Sequence, residues 1–186
     1  MLEQRDEFIR DNQELKNRLT LLETIWNERK VCSGKTQCLG QKTQCAFYAY
    51  YSADFKSLPK GKTFIFDTVV TNIGNGYNES TGAFIAPTPG VFAFSWTLHA
   101  AGRHIFGESG QYGEMGALLK QNGIIKGSIA ADTEMKTNQG TATGFVILNL
   151  TAGDEVEIVS KYDGQGSMYS NDVYGRTTFS GFLIYP

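Results

Sequence analysis

Glycine and proline are distributed unevenly along this chain, and their distribution limits the folds that it can adopt. The first thirty residues, MLEQRDEFIRDNQELKNRLTLLETIWNERK, contain neither, whereas all 21 glycines and all four prolines lie beyond them. Because both residues are unfavourable inside helices, a long helix fits the first segment and shorter elements joined by turns fit the rest. The 186 residues have room for this helix and one domain of ordinary size.

The first segment carries the heptad pattern of a coiled coil, in which apolar residues recur at alternating spacings of three and four. The residues of this seam are Met1, Arg5, Phe8, Asn12, Leu15, Leu19, Leu22 and Trp26. The polar residues Arg5 and Asn12 weaken the seam, but such residues can fix register and strand number. We predict a coiled-coil stalk over residues 1–30, with a lone amphipathic helix as the alternative.

After Cys45 the chain consists of short apolar or alternating runs separated by turn residues. The runs are AFYAYYS, TFIFDTVVTN, GAFIAP, GVFAFSWTLHA, YGEMGALLKQ, GIIKGSIA, TATGFVILNLT, DEVEIVSKY and TTFSGFLIY. They are rich in Phe, Tyr, Ile and Val, which suit half-buried pleated surfaces, and no helical period lies between them. This series predicts an all-β sandwich or jelly roll. In GVFAFSW, the aromatic side chains should all point into the core and the small ones to the opposite face.

One stretch, FDTVVTNIGNGYNESTGAFIAPTPGVFAFSW, places aromatic residues at fixed intervals. The spaced positions are Phe66, Asn72, Tyr77, Phe84, Gly90, Phe92, Phe94 and Trp96. This spacing closely resembles the signature of the globular-head domain family of complement component 1, subcomponent q. Phe92 stands where that family usually has tyrosine, and Trp96 where it has Phe or Tyr. The later segments LNLTAGDEVEIVS and FSGFLIYP resemble a hairpin and the closing strand of the same family.

The resemblance covers residues 46–186 and implies an all-β, ten-stranded jelly-roll sandwich shared with the tumour necrosis factor superfamily. It further implies a compact trimer, secretion, and a collagen or coiled-coil stalk before the head. The start of the chain is charged and lacks the apolar centre of a signal peptide, so Met1 opens either a cytosolic chain or a chain from which a leader has been removed. Because the resemblance implies secretion, we expect a secreted, extracellular protein whose signal peptide has been removed. No run of eighteen apolar residues exists, and we predict no membrane insertion.

Three cysteines, Cys32, Cys38 and Cys45, crowd into residues 31–45, which we predict to be a neck between stalk and head. A zinc site would need a fourth ligand, and the two histidines, His99 and His104, are distant in sequence. We predict that the cysteines form disulfides between neighbouring chains in an oxidising, extracellular setting, giving a homotrimer or a larger assembly. Free thiols in a reducing compartment are the alternative.

The sequence contains no evident catalytic constellation, so we predict that the protein is not an enzyme. GESGQYGEMG is glycine-rich but lacks the strand-to-helix setting of a phosphate loop. The net charge of −2 and the absence of a basic stripe argue against nucleic acid as a partner.

Calcium is a candidate ligand, and no other cofactor is assigned. Some members of the resembled family hold calcium near the trimer apex with carboxylates from the loop before the TGFVILNL strand, and calcium prefers several oxygen ligands. Here that loop offers Asp132 and Glu134 but no later acidic residue. Asp163 and Asp172 are weaker candidates in later loops.

Carbohydrate is the predicted ligand, because aromatic faces beside hydrogen-bonding side chains suit sugars. The late loop supplies this mixture in Tyr169, Asn171, Asp172, Tyr174 and Arg176, and Arg103 and Tyr112 are second-rank candidates. An arginine fork would favour sialylated sugars.

We therefore predict a secreted, trimeric pattern-recognition lectin of innate immunity that binds glycans or microbial surfaces by avidity. The main alternative is a secreted signalling or synapse-organising ligand that binds a protein receptor. A structural matrix protein is a third interpretation, although the chain has no Gly-X-Y repeat.

Two sequons, NES at Asn78 and NLT at Asn149, are candidate glycosylation sites in a secreted chain. Asn78 lies in a loop-like stretch and is the stronger candidate. Asn149 alternates with two leucines on a predicted strand.

Overall fold

A computed structural model of the chain describes residues 13–20, 22–23, 44–101, 113–133 and 139–186. The chain forms two compact units, Met1–Lys42 and Thr43–Pro186. In the first unit, residues 13–20 and 22–23 are helical, and Leu15, Leu19 and Leu22 are exposed. The other residues of the predicted seam lie outside the described residues, and the pairing of the helix in a coiled coil stays a prediction. None of the described helical residues belongs to a helix that is long and apolar enough to cross a membrane.

The second unit is built from strands, which confirms the all-β prediction. In chain order the strands are β1 (Ala46–Tyr50), β2 (Phe55–Lys56), β3 (Thr68–Ile73), β4 (Phe84–Ile85), β5 (Gly90–Ala101), β6 (Glu114–Gln121), β7 (Ile124–Asp132), β8 (Gln139–Leu150), β9 (Glu155–Ser160), β10 (Ser167–Met168) and β11 (Thr178–Tyr185). Nine of them fall within the nine predicted runs or extend them by one or two residues. The other two, β2 and β10, are only two residues long.

The strands form two antiparallel sheets that pack as a jelly-roll sandwich. In the seven-stranded sheet, β8 pairs with β5 along its whole length, and β11, β1 and then β3 follow on the other side of β5. The short strands β10 and β2 continue this side near the end of β5. The four-stranded sheet has the order β4-β9-β6-β7.

Alternation along β5 places its aromatic side chains in the core, as predicted. Phe92, Phe94 and Trp96 are fully buried, while Val91 and Ser95 are half-buried on the opposite face. Gly181 on β11 makes room for this packing, because a Cβ atom there would lie 2.6 Å from Cδ1 of Phe94.

Trp96 fills the space between the two sheets. It lies against Gly127 of β7 and Gly144 of β8, where added Cβ atoms would lie 2.5 and 2.3 Å from ring atoms of the tryptophan. Its Nε1–H group is buried and has no hydrogen-bond partner in the described part of the chain. The side chain therefore serves packing.

Candidate functional site

The candidate binding loop is the segment 169–176, which lies between β10 and β11. Its ends are tied to β5, since the backbone N–H of Tyr169 donates to the carbonyl of His99 (2.8 Å). The Thr177 hydroxyl donates to the Tyr169 carbonyl (2.9 Å) and accepts from the His99 N–H (3.3 Å). The loop is therefore held at the end of a core strand.

Gly175 and His99 fix the returning arm of this loop. Gly175 has a φ of 118°, and a Cβ atom at this position would lie 2.7 Å from Cε1 of His99. The half-buried His99 has Nδ1 2.8 Å from the Thr141 hydroxyl, and burial lowers the pKa of its imidazole. His99 is thus a positioning residue. His104, the other histidine of the sequence, lies outside the described residues.

Asn171 shapes the loop from within. Its side-chain oxygen accepts hydrogen bonds from the backbone N–H groups of Val173 (3.0 Å) and Tyr174 (2.9 Å). Its amide nitrogen donates to the Asp54 carboxylate (2.7 Å), and its backbone pairs with that of Gly175. Both ends of the amide are engaged inside the protein, so Asn171 stabilises the loop.

Arg176 also has partners within the protein. Its guanidinium forms an ion pair with the Asp172 carboxylate and lies 4.1 Å above the centroid of the Tyr50 ring. A carboxylate ligand would compete for this guanidinium with Asp172, whose side chain is 86 % exposed.

The exposed tip of the loop presents Val173 and Tyr174 beside the ion-paired Asp172. Val173 is 80 % exposed and Tyr174 48 % exposed. The Tyr174 ring stacks on Tyr169, with centroids 4.6 Å apart and an interplanar angle of 18°. One face of each ring is thus covered by the other.

The structure places together five of the predicted ligand-binding residues, and the others are not among its described residues. Tyr169, Asn171, Asp172, Tyr174 and Arg176 share the one loop. Arg103 and Tyr112 lie outside the described residues.

Three residues outside the loop hold it in place, and the sequence analysis assigned this role to none of them. They are Tyr50, Asp54 and His99. Asp54 is 117 positions from Asn171, and no local pattern could have linked them.

The calcium hypothesis gains no ligand cluster from the described residues. Asp132, at the end of β7, stands opposite Glu114 of β6, and the predicted Glu134 lies outside the described residues. The Asp163 carboxylate accepts the N–H of Lys60 (2.8 Å). No group of three potential metal ligands exists in the part of the chain that the structure describes. These carboxylates therefore give no support for a bound calcium ion.

Cys45 lies in the core and corrects the predicted role of the neck cysteines. It is 4 % exposed, its thiol is free, and burial raises the pKa of that thiol. Its carbonyl accepts the N–H of Leu183 on β11 (2.8 Å). A thiol in this position is shielded from a neighbouring chain, so we retain the prediction of interchain disulfides for Cys32 and Cys38 alone. Both of these lie outside the described residues.

The outer face of the seven-stranded sheet is an exposed apolar surface, which we call the sheet face. Two rows of side chains cross it, Phe145–Ser95–Ser180–Tyr48 and Ile147–Ala93–Phe182–Ala46. Phe145 and Ile147 are 61 % and 57 % exposed. Small residues occupy the β5 position of each row, as predicted for this side of that strand, and Phe182 of β11 adds an exposed aromatic ring to the middle of the second row. The face therefore combines small residues with exposed apolar side chains.

The C1q domain family matches residues 46–184 of this chain. Complement C1q tumor necrosis factor-related protein 2 is 30 % identical in Mus musculus and 31 % identical in Homo sapiens over 153 residues. These alignments cover 82 % of this chain and 47 % and 48 % of the two relatives. Related protein 7 of Mus musculus is 31 % identical over 121 residues, which is 65 % of this chain and 38 % of that protein. The chain spans at most about half the length of these curated relatives.

Two solved structures share the fold. The globular domain of zebrafish complement 1qA protein has a TM-score of 0.55 and 20 % identity, over 76 % of this chain and 98 % of that chain. Eiger TNF from S. frugiperda has a TM-score of 0.54 and 11 % identity, over 77 % and 94 %. At these identities the likeness concerns the fold alone. With the family match over most of its length and the predicted aromatic spacing in its core, the chain belongs to the C1q domain family.

Proposed function

We propose that this protein is a secreted, self-assembling ligand that binds a protein receptor through loops of its C1q head. The observation that carries the proposal is the arrangement of the loop 169–176. Its charged and amide groups bind other groups of the protein, while Tyr174 and Val173 remain exposed. Exposed tyrosines are frequent anchors of protein contacts. The similar proteins named for both C1q and tumor necrosis factor support a ligand role without catalysis.

Self-assembly is supported by the sheet face. Contiguous exposed apolar surfaces commonly mark contacts with another chain. The resemblance that the sequence carries implies a trimer, and we propose a homotrimer in which the sheet faces of three heads contact one another. The exposed leucines at 15, 19 and 22 support a parallel stalk.

Disulfides between the neck cysteines can link the chains of this trimer covalently. With Cys45 in the core, Cys32 and Cys38 leave an even number of thiols in each chain. Three chains then offer six thiols, which can pair without remainder. The proposal predicts a disulfide-linked trimer on a non-reducing gel and a single chain after reduction.

The receptor proposal is tested by binding of labelled, intact protein to a panel of cell lines. The cells are treated beforehand either with trypsin or with a mixture of sialidase and N-glycosidase. We expect trypsin to abolish binding and the glycosidases to leave it unchanged. Loss of binding after glycosidase treatment alone would contradict a protein receptor and favour the lectin interpretation.

A matched pair of variants tests whether the loop makes the contact. Tyr174→Ser removes the exposed ring and should weaken binding about tenfold, since truncation of an anchoring tyrosine costs more than about 1 kcal/mol. Ile125→Ser removes an equally exposed apolar side chain from the four-stranded sheet and should leave binding unchanged. Equal binding by both variants would contradict the role of the loop.

Carbohydrate binding is the second candidate function, because the stacked Tyr169 and Tyr174 present an aromatic surface beside Arg176. The test is a glycan array probed with the intact oligomer, with calcium and then with chelator. Saccharide binding that Tyr174→Ser abolishes would support this function. A blank array from a verified trimer would reject it.

A further inference from the structure

The sequon at Asn78 lies in a turn whose geometry leaves its acceptor nitrogen open. The Asn78 side-chain oxygen accepts the backbone N–H of Ser80 (2.9 Å), and the Asn78 carbonyl accepts the N–H of Gly82 (2.8 Å). The side-chain nitrogen Nδ2 makes no hydrogen bond with any described residue. Asn78 is also exposed. The amide is therefore held in one orientation with Nδ2 toward solvent.

An open groove of about 370 Å³ lies beside this amide. It is lined by Val69 and Asn72 of β3 and by Asn75, Glu79 and Ser80 of the following loop. The Asn72 side chain holds this loop against the strand through two hydrogen bonds to the backbone of Tyr77 (2.8 and 3.1 Å). The lining is mostly polar and contains Asn78 itself, which suits a chain of sugars attached at that residue.

The groove runs along an unpaired strand edge. Among the described residues, β3 pairs only with β1 and forms the end of the seven-stranded sheet. Its register shifts beside Val70, which is 61 % exposed. Exposed edge strands offer unpaired backbone groups to other chains, and proteins commonly cover them.

The second sequon is placed differently. Asn149 on β8 lies opposite Val91 on β5, and it shares the sheet face with Phe145 and Ile147. A glycan on Asn149 would project from the surface through which we propose that the heads assemble. The assembled protein is therefore expected to carry no glycan at this residue.

We propose that Asn78 carries an N-linked glycan whose first sugars lie in the adjacent groove and cover the edge of β3. The donor is a lipid-diphosphate-linked oligosaccharide. Asn78 Nδ2 forms a bond to C1 of the donor's first N-acetylglucosamine and gives up a proton, while the bond from C1 to the diphosphate oxygen breaks and the lipid diphosphate leaves with the electron pair. The inference rests on the proposed function only in requiring that the chain enters the secretory pathway.

Substitutions at Ser80 provide the test, because the turn uses its backbone N–H and the sequon needs its hydroxyl. The full chain is secreted from a eukaryotic cell line behind a heterologous signal peptide and examined by glycopeptide mass spectrometry with and without N-glycosidase. Wild type, Ser80→Thr and Asn149→Gln should each carry one glycan at Asn78, and Ser80→Ala should carry none. A secreted trimer without a glycan at Asn78, or with one at Asn149, would overturn the inference while leaving the receptor proposal intact.

Hydrogen exchange tests separately whether the glycan lies in the groove and covers the edge of β3. In Ser80→Ala, the amides of residues 68–73 should exchange several-fold faster than in Ser80→Thr, because the sugars no longer cover the strand edge. Amides of β6 in the other sheet serve as the internal reference. Equal exchange of residues 68–73 in the two variants would overturn the claim that the glycan covers β3.

Discussion

At the scale of single residues, the core depends on close contacts that local sequence does not reveal. Period two along β5 is enough to predict that Trp96 points inward. The same pattern does not predict the need for glycine at 127 and 144, because each glycine contacts the Trp96 ring from another strand. Such a requirement arises only once the register of β7 and β8 against β5 is known.

Gly144→Ala should destabilise the head by about 1–3 kcal/mol, since the added methyl group overpacks a filled core against the indole ring. Ser128→Ala, an exposed change on neighbouring β7, should alter stability by less than about 0.5 kcal/mol. Both are compared with wild type by denaturant unfolding at one protein concentration. Equal midpoints for Gly144→Ala and wild type would show that the ring can move aside.

The Asp154 carboxyl group should make the stability of the folded head depend on pH in the acidic range. The side chain of Asn122, the backbone N–H of Thr151 and the side chain of Gln121 donate hydrogen bonds to its carboxylate and lower its pKa from 3.8 to about 2. A carboxyl group with a lowered pKa in the folded state stabilises the protein fully above pH 3.8, and this contribution is lost as the pH falls toward 2.

Melting temperatures measured between pH 6 and pH 2 test this dependence. The wild-type melting temperature should fall more steeply below pH 3.8 than that of Asp154→Asn, which cannot titrate. The same slope in Asp154→Asn and wild type would contradict a role for this carboxylate.

At the scale of elements, the strands were predictable and the binding loop was predictable only in part. Nine of the strands, including the two-residue β4, fall in apolar or alternating runs, because such runs report burial on one or both faces. The strands β2 and β10 lie outside any such run, and their pairing depends on the end of β5. The residue types of the loop at 169–176 pointed to a binding site, but the engagement of Asn171 and Arg176 depends on Asp54 and Tyr50, which are distant in sequence.

Asp54→Ala should loosen the loop without unfolding the head. The Asp54 carboxylate accepts hydrogen bonds from the Ser170 N–H (2.8 Å) and the Asn171 amide (2.7 Å), and the variant leaves both donors without this partner. We expect faster hydrogen exchange at residues 170–175 and little change in the strands. Asp163→Ala, which frees a backbone N–H in another loop, is the control. Exchange at wild-type rates in residues 170–175 would argue that other contacts suffice to hold the loop.

At the scale of the whole molecule, the account requires heads that assemble through the sheet face and present the loop tips to a receptor. Weak single contacts then act together, since linked sites raise apparent affinity about a hundredfold or more without any new contact. The stalk, the neck disulfides and the glycan at Asn78 are further proposals. The non-reducing gel tests the disulfides, and glycopeptide mass spectrometry tests the glycan.

The most direct test is the mass of the intact protein in solution, measured by light scattering during size-exclusion chromatography under reducing conditions. We predict three times the 20.5 kDa of one chain for wild type and for Ile125→Glu, which changes the other sheet. Phe145→Glu places a charge in the sheet face and should shift the mass toward a single chain. A wild-type monomer, or a trimer that persists in Phe145→Glu, would contradict assembly through this face.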